Sequence, residues 1–330
     1  MKIRAVVFLV GTLATYLVAS ISGATVSWIG GSGDWNTPVH WSSGHVPTID
    51  DDVIVDPADS GGVVTHSSQD SVIKSIQCLG TLRLSGGSIS LTSGDSDLNE
   101  DFQINGGASL RAIGPTTSVI IRSGIGRIQG NLQASAGAKL TLPNVISYTQ
   151  ADGLAVEWSA QGTGSELIFP NLASITGNTT AGQYLSILAF HEGTLSLPTL
   201  TSITKPDDGD AHYNSGVFLR AALNGTISAP GLASFNDNDS HPNSSLNADQ
   251  GGILLTPLLT APKGVNIALN AQSSIQQFTS LPNATRLQLT EGAVTLNNLT
   301  SIAGFASIAV SGGAKLTLPN VISYTQADGL

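Results

Sequence analysis

Hydrophobic and polar residues alternate along short stretches of this chain, and a turn residue separates one stretch from the next. Such stretches run from Leu185 to Phe190, from Val217 to Leu223 and from Val265 to Leu269. Alternation with a period of two places one row of side chains on each face of a strand. The pattern predicts short β-strands with one buried face, and no helix is needed after Ala24.

An exact internal duplication shows how these strands are organised. The segment GAKLTLPNVISYTQADGL occupies residues 137–154 and recurs unchanged at residues 313–330. A weaker unit fills the interval, with a turn residue, an apolar strand and often a proline, and it begins at Gly137, Gly164, Gly193, Gly225, Gly252, Ser273, Gly292 and Gly313. Spacings of 19 to 32 residues between these starts are typical of a solenoid, in which each repeat contacts only its neighbours.

The repeat predicts an all-β fold, a parallel β-helix over residues 70–330. Recurring apolar positions should line its lumen, namely Leu140, Leu142, Leu167, Phe169, Leu195, Leu197, Ile227, Leu296, Leu316 and Leu318. The turn glycine should supply the positive φ of each bend. The prolines at 143, 170, 198 and 230 should lie at the corner between the second and third strands of a coil, because proline cannot donate a ladder hydrogen bond. A leucine-rich-repeat-like solenoid is the alternative, since its repeat has a similar length.

The N-terminus and the charge balance indicate export. Lys2 and Arg4 precede an uncharged apolar run that ends in small residues, which predicts a signal peptide over residues 1–24 and membrane contact only through that segment. The full chain has a formal net charge of −10, which disfavours nucleic acid as a partner. Cys78 is the one cysteine, so no internal disulfide can form, and we expect it to be a buried apolar residue.

Three of the four tryptophans lie within residues 28–41, in the segment 25–69 between the signal peptide and the repeats. We predict that they cap the open end of the β-helix, where unpaired strand edges need cover. A platform on which sugars stack is the alternative. The chain stops within a copied repeat at Leu330, and we expect it to be a fragment or a truncated product.

The N-terminal segment resembles the start of large bacterial exoproteins of the autotransporter and haemagglutinin-like adhesin type. The positions that carry the resemblance are Trp28, Gly30, Trp35, Trp41, Gly44, Pro47, Asp52, Val53 and Ile54. The resemblance covers about a tenth of the chain, implies an extracellular adhesive role and a parallel β-helix, and carries no catalytic residues.

Two insertions in adjacent coils gather acidic and imidazole groups. They contain Asp207, Asp208, Asp210 and His212 in one loop, and Asp237, Asp239, His241 and Asp249 in the next. Carboxylate oxygens at Asp207, Asp208, Asp210, Asp237 and Asp239 could hold Ca²⁺ or serve glycoside cleavage. The spacing matches no calcium repeat, so we expect loops that spread into solvent, with no metal, cofactor or catalytic site.

Two functions follow from these observations. The first is a non-enzymatic surface or adhesive protein, secreted or at the cell surface, whose extended polar faces bind glycans or other surface proteins weakly and multivalently. The second is a carbohydrate-active β-helix enzyme, a lyase or glycoside hydrolase, that uses the loops at 205–214 and 236–250. An enzyme should have a cleft with converging acidic and basic groups, whereas an adhesive protein should have flat polar faces.

Overall fold

The chain forms a parallel β-helix, as predicted. The computed structural model describes residues 23–57, 61–124, 126–209, 215–239, 241–282, 286–304 and 307–325. Every pair of strands in these ranges is parallel, and each strand pairs with its equivalent in the adjacent coils. The 3₁₀ turn Pro38–His40 is the one helical segment of the described residues. The helical return of a leucine-rich repeat is therefore missing from this part of the chain, and that alternative is wrong.

The coils stack into three faces, each built from one strand position of successive coils. The ten-stranded face contains Thr25–Ser27, Asp52–Val55, Ser75–Cys78, Gly94–Leu98, Thr117–Ile121, Lys139–Thr141, Glu166–Ile168, Thr194–Ser196, Thr226–Ser228 and Ile253–Leu255, and the same repeat position continues in a two-stranded sheet of Ala293–Thr295 and Lys315–Thr317. The eleven-stranded face contains Asp70–Ile73, Ser88–Leu91, Ser109–Ile113, Asn131–Ser135, Val156–Gln161, Tyr184–Phe190, Gly216–Ala222, Ser245–Ala248, Asn266–Leu269, Arg286–Leu289 and Ser307–Val310. The third face contains Gly33–Asp34, Val63–His66, Thr81–Leu84 and Gln103–Ile104, then Ser147–Thr149, Ser174–Thr176, Ser202–Lys205 and Ser234–Asp237, then Ser280–Pro282, Ser301–Ala303 and Ser323–Thr325.

The lumen is filled by the apolar residues that the repeat predicts. The eight predicted positions from Leu140 to Leu296 are all fully buried, whereas Ser196 and Ser228 between them are half-buried. Leu316 and Leu318 are only partly buried, because no further described coil covers them. Trp158 stacks on Phe169 with ring centroids 4.6 Å apart. The strand register is therefore the predicted one.

The turn glycines serve two different purposes, of which the sequence predicts one. Gly137 and Gly164 have positive φ values of +91° and +77°, as expected of a bend that a side chain would strain. In the turns at Gly193 and Gly225, the two residues before the glycine have the positive φ instead, for example His191 and Glu192 before Gly193. A Cβ on Gly193 would lie 2.4 Å from the backbone oxygen of Ala160. These glycines are needed because the adjacent coil passes too close for a side chain.

The prolines lie where the sequence predicts, at the corner between the ten-stranded and third faces. Pro143, for example, separates the strands Lys139–Thr141 and Ser147–Thr149. The next residue, Asn144, donates from Nδ2 to the backbone oxygen of Arg122 at 2.7 Å, and Asn171 does the same to Pro143 at 2.8 Å. Amide side chains thus bond one corner to the corner of the preceding coil.

Residues 1–22 lie outside the described residues, and with them nearly all of the predicted signal peptide. The part of the chain that the structure covers contains no helix with the length and apolarity required to cross a bilayer. Strands of the predicted cap segment 25–69 already pair with the sheets of the coils, as Asp52–Val55 does with Ser75–Cys78.

Candidate functional site

The two acidic loops meet at the third face. They follow the strands Ser202–Lys205 and Ser234–Asp237, which are paired so that Lys205 lies beside Asp237. Oxygens of Asp207, Asp208 and Asp239 lie within 4.8 Å of one another. The expectation that these loops spread into solvent is therefore wrong, because the pairing of their strands brings them together. Asp210 and His212 lie outside the described residues.

A buried lysine occupies the centre of this cluster. Lys205 is 1% exposed, and its Nζ donates to the backbone oxygen of Pro206 at 2.7 Å and to Asp239 Oδ2 at 3.1 Å. Asp208 Oδ2 lies 3.5 Å from the same ammonium and accepts a hydrogen bond from the Ser215 hydroxyl. The ammonium balances carboxylates that burial would otherwise leave uncompensated.

The remaining acidic residues build the loops. Asp237 is 2% exposed, and its carboxylate accepts backbone hydrogen bonds from Asp239 at 3.0 Å, and from Ser244 at 2.9 Å and Asn243 at 3.2 Å. Asp249 instead pairs with Arg220 at 2.9 Å. A carboxylate that accepts several backbone N–H groups fixes a loop in the way that a cap fixes a helix end. Together with the lysine, these contacts make a buried polar core of Lys205, Asp208, Asp237 and Asp239, with Asp207 exposed at its edge.

The cluster does not fit a calcium ion. Ca²⁺ takes six to eight oxygen ligands, and here an ammonium lies 3.1 Å from one of the three converging carboxylates. That ammonium also lies 3.5 Å from Asp208, so it already neutralises two of the three carboxylates that a divalent ion would need. We therefore assign the cluster a structural role.

The N-terminal tryptophans do not form a surface. Trp28, Trp35 and Trp41 are 3%, 0% and 1% exposed. Trp41 packs edge to face on both of the others, with ring centroids 5.0 Å and 4.7 Å away, and its indole donates to the backbone oxygen of Trp35 at 2.7 Å. The interpretation of this segment as a sugar-stacking platform is wrong, because the rings are covered by one another and by the first coil.

The outer surface of the eleven-stranded face contains two open polar grooves. Its strands are in register, so that outward side chains form continuous columns across the coils. One column contains Ser109, Asn131, Glu157, Ser186, Phe218, Ser245, Asn266 and Arg286, and the neighbouring column contains Arg111, Gln133, Ser159, Leu188, Arg220, Asn247, Ala268 and Gln288. We call these two columns the polar track.

A first groove, the proximal groove, lies at one end of the track. It is about 270 Å³ in volume and is lined by Ser109, Arg111, Asn131, Leu132, Gln133, Glu157 and Ser159. Asn131 Oδ1 accepts the backbone N–H of Glu157 at 2.8 Å, and Arg111 Nη1 donates to Ser88 Oγ at 3.3 Å. The side chains are thus held in place and offer hydrogen-bond donors and acceptors to solvent.

A second groove, the distal groove, lies at the other end and includes an aromatic ring. It is about 360 Å³ in volume and is lined by Phe218, Asn243, Ser245, Leu246, Asn247, Asn266, Ile267, Ala268 and Arg286. The Phe218 ring lies over Gly216, where a Cβ would approach it to 2.8 Å, and its centroid is 6.1 Å from that of Tyr184. Tyr184 is 40% exposed. The absence of a side chain at Gly216 therefore allows an aromatic platform to form on the outer face.

The sequence pattern contained a signal for this groove. Alternation within residues 217–223 places Phe218 and Arg220 on the same side as the polar residues of neighbouring strands. The outward phenylalanine therefore adds an aromatic ring to a row of hydrogen-bonding groups, a combination that can bind a sugar ring. Between the grooves, Arg220 lies over the Phe190 ring at 5.6 Å and extends the same surface.

The sequence contains six Asn-x-Ser/Thr sequons, which differ in accessibility and begin at Asn178, Asn224, Asn238, Asn243, Asn283 and Asn298. Asn178 is 2% exposed, and its Nδ2 donates to the backbone oxygen of Leu154 at 3.2 Å, so the folded chain offers no access to it. Asn224, Asn238 and Asn298 are exposed, Asn243 is half-buried, and Asn283 lies outside the described residues.

Comparisons with known proteins found no match, so the evidence on function is the geometry of the grooves and clusters described above. No family model matches the chain. No curated protein and no solved structure matches it either.

Proposed function

We propose that this is a non-enzymatic, secreted or cell-surface protein that binds glycans along the polar track of its eleven-stranded face. The observation that carries the proposal is the track itself, with its two grooves and the aromatic rings beside them. Aromatic faces pack on the apolar faces of sugar rings, while amides, hydroxyls and guanidinium groups bond sugar hydroxyls.

The dimensions of the track suit an extended ligand. Seven strand spacings separate Ser109 from Arg286, which is about 34 Å at roughly 4.8 Å per strand. A polymer lying on this surface would meet a similar set of polar groups at each strand. Many weak contacts of this kind add up to useful affinity when they act together.

The N-terminus supports the same cellular location. The predicted signal peptide over residues 1–24 and the resemblance of the tryptophan-rich segment to adhesin-like exoproteins both favour export. Cell-surface glycans, or glycosylated proteins of other cells, are then the partners that the polar track would meet.

An enzyme acting on carbohydrate is the second candidate, because Lys205 and three carboxylates do converge. Asp207 is exposed, but the burial of the other three groups argues against it, since a polymer cannot reach a lysine that is 1% exposed or the Asp208 and Asp239 carboxylates beside it. Among the residues that line the proximal and distal grooves, Glu157 is the one carboxylate, and glycoside hydrolysis commonly requires a pair. The geometry thus favours binding without turnover.

A polysaccharide panel tests the proposal. The protein is expected to bind at least one neutral or acidic polysaccharide immobilised on a sensor surface, and to release neither reducing ends nor unsaturated sugars from it. Phe218→Ser should weaken that binding. Ile146→Ser, which removes an apolar side chain that is 54% exposed at a corner away from the track, should not. Equal binding by both variants, or release of sugar by the wild-type protein, would contradict the proposal.

A further inference from the structure

Arg286 in the distal groove forms no ion pair with a carboxylate of the described residues. Five of the ten basic residues on the surface of the described chain are paired with a carboxylate, as Arg122 is with Asp97 at 2.6 Å, Lys139 with Glu166 at 3.2 Å and Arg220 with Asp249 at 2.9 Å. No carboxylate of the described residues forms an ion pair with Arg286, and none lines the distal groove. Its five N–H donors therefore face a groove that offers no anion of its own.

The surroundings of Arg286 are ordered along the track. Phe218, Ser245, Asn266 and Arg286 occupy consecutive positions in one column, so the backbone positions of Phe218 and Arg286 are separated by about 14 Å, three strand spacings. Between them lie a hydroxyl and an amide, and Asn247 adds a second amide from the neighbouring column. A short stretch of sugar chain placed here would have its ring on Phe218 at one end and a substituent at Arg286 at the other.

We propose that the distal groove recognises a carboxylate-bearing glycan, a chain of uronic acids, with its carboxylate bound by Arg286. A guanidinium matches a carboxylate with two parallel hydrogen bonds, which makes Arg suited to planar anions. The net charge of −10 repels polyanions elsewhere on the molecule, so binding of an acidic glycan depends on local groups such as this one.

This inference rests on the proposed function and specifies its ligand. The probes are polygalacturonate for a carboxylated glycan, dextran sulfate for a sulfated one and dextran for a neutral one, measured on the full chain at low and at physiological salt. Polygalacturonate is expected to bind tightest, with an affinity that falls as salt screens the ion pair.

Three variants assign the interaction to Arg286. Arg286→Gln should lower the affinity for polygalacturonate tenfold or more, since hydrogen bonds to charged groups are the strong ones. Arg286→Lys should retain part of it, because the charge remains but the two-pronged geometry is lost. Arg83→Gln is the matched control, because Arg83 also has no ion pair in the described chain but lies on the third face, bonded to Gln103 at 3.4 Å. It should bind as the wild type does.

The outcomes separate this inference from the proposed function. If Arg286→Gln binds polygalacturonate like the wild type, or if dextran sulfate binds and polygalacturonate does not, the carboxylate assignment is wrong while glycan binding stands. If none of the three probes and no member of the wider panel binds, the proposed function itself is wrong. Unchanged thermal unfolding of Arg286→Gln shows that a loss of affinity comes from the groove and not from the fold.

Discussion

The buried lysine cluster leads to a quantitative prediction about stability. Lys205→Met retains the length of the side chain but removes the ammonium that lies 3.1 Å from Asp239 and 3.5 Å from Asp208. Lys205 and the carboxylate groups of both partners are at most 3% exposed, so water cannot replace the lost cation. Removing one partner from a buried ion pair costs about 3–5 kcal/mol, and we expect the free energy of unfolding to fall by that amount.

The matched control is Lys139→Met. Lys139 pairs with Glu166 at 3.2 Å, but the two side chains are 54% and 44% exposed. An exposed pair of this kind contributes about 0–1 kcal/mol, so the same chemical change should have little effect at this position. The added substitutions Asp208→Asn and Asp239→Asn should recover part of the stability of Lys205→Met, because they remove the uncompensated charge.

Urea unfolding followed by tryptophan fluorescence and by far-ultraviolet circular dichroism measures these differences. Equal, small losses in Lys205→Met and Lys139→Met would refute the reasoning. That result would mean that water reaches the cluster, and the acidic loops would again be candidates for binding a ligand.

Four further predictions concern other properties of the molecule. Burial lowers the pKa of His66 below its ordinary value of 6.5, so as the pH falls the unfolded chain takes up a proton before the folded chain does. The contribution of His66 to stability should therefore be complete above about pH 6.5 and be lost as the pH drops below it. His66→Gln should flatten that part of a plot of melting temperature against pH. Burial raises the pKa of the Cys78 thiol to about 12, so a maleimide reagent at pH 8 should label unfolded but not folded protein, as mass spectrometry would show. Trp158→Ala should cost about 3–5 kcal/mol by opening a cavity in the lumen, whereas a melting temperature within a degree of the wild type would contradict the assigned register. Addition of calcium or of chelator should leave the melting temperature unchanged, and a shift of several degrees by calorimetry would overturn the structural role of the lysine cluster.

The fold could be predicted because its determinants are local and repeated. The same apolar positions recur in every coil, as Leu140 and Leu316 do in the two identical segments, and the period of two fixes which side of the strand is buried. The corner position of Pro143 follows from its missing donor. These constraints act within one coil, so a single sequence contains them.

The lysine cluster could not be predicted because it depends on contacts between coils. Lys205 and Asp239 are 34 residues apart, and their meeting depends on the path of two inserted loops. Lys205 ends the strand Ser202–Lys205 on the same side as the buried Ile203, but a lysine is ordinarily exposed. The structure buries it because its partners are buried with it, which composition cannot indicate.

The distal groove could be predicted from the sequence only in part. The outward position of Phe218 follows from alternation alone, but its partners Asn266 and Arg286 come from later coils whose register is known only once the strands are paired. The accommodation of the ring over Gly216 likewise requires the structure.

The central claim is that glycans bind along the polar track, and hydroxyl-radical footprinting tests it most directly. The protein is oxidised alone and with saturating polygalacturonate or dextran, and the oxidation of each aromatic side chain is measured by mass spectrometry. We predict that bound glycan protects Tyr184 and Phe218 on the eleven-stranded face and leaves Tyr324, which is 54% exposed on the third face, as reactive as before. Protection confined to other faces, or an unchanged rate at Phe218 under saturating binding, would contradict the claim.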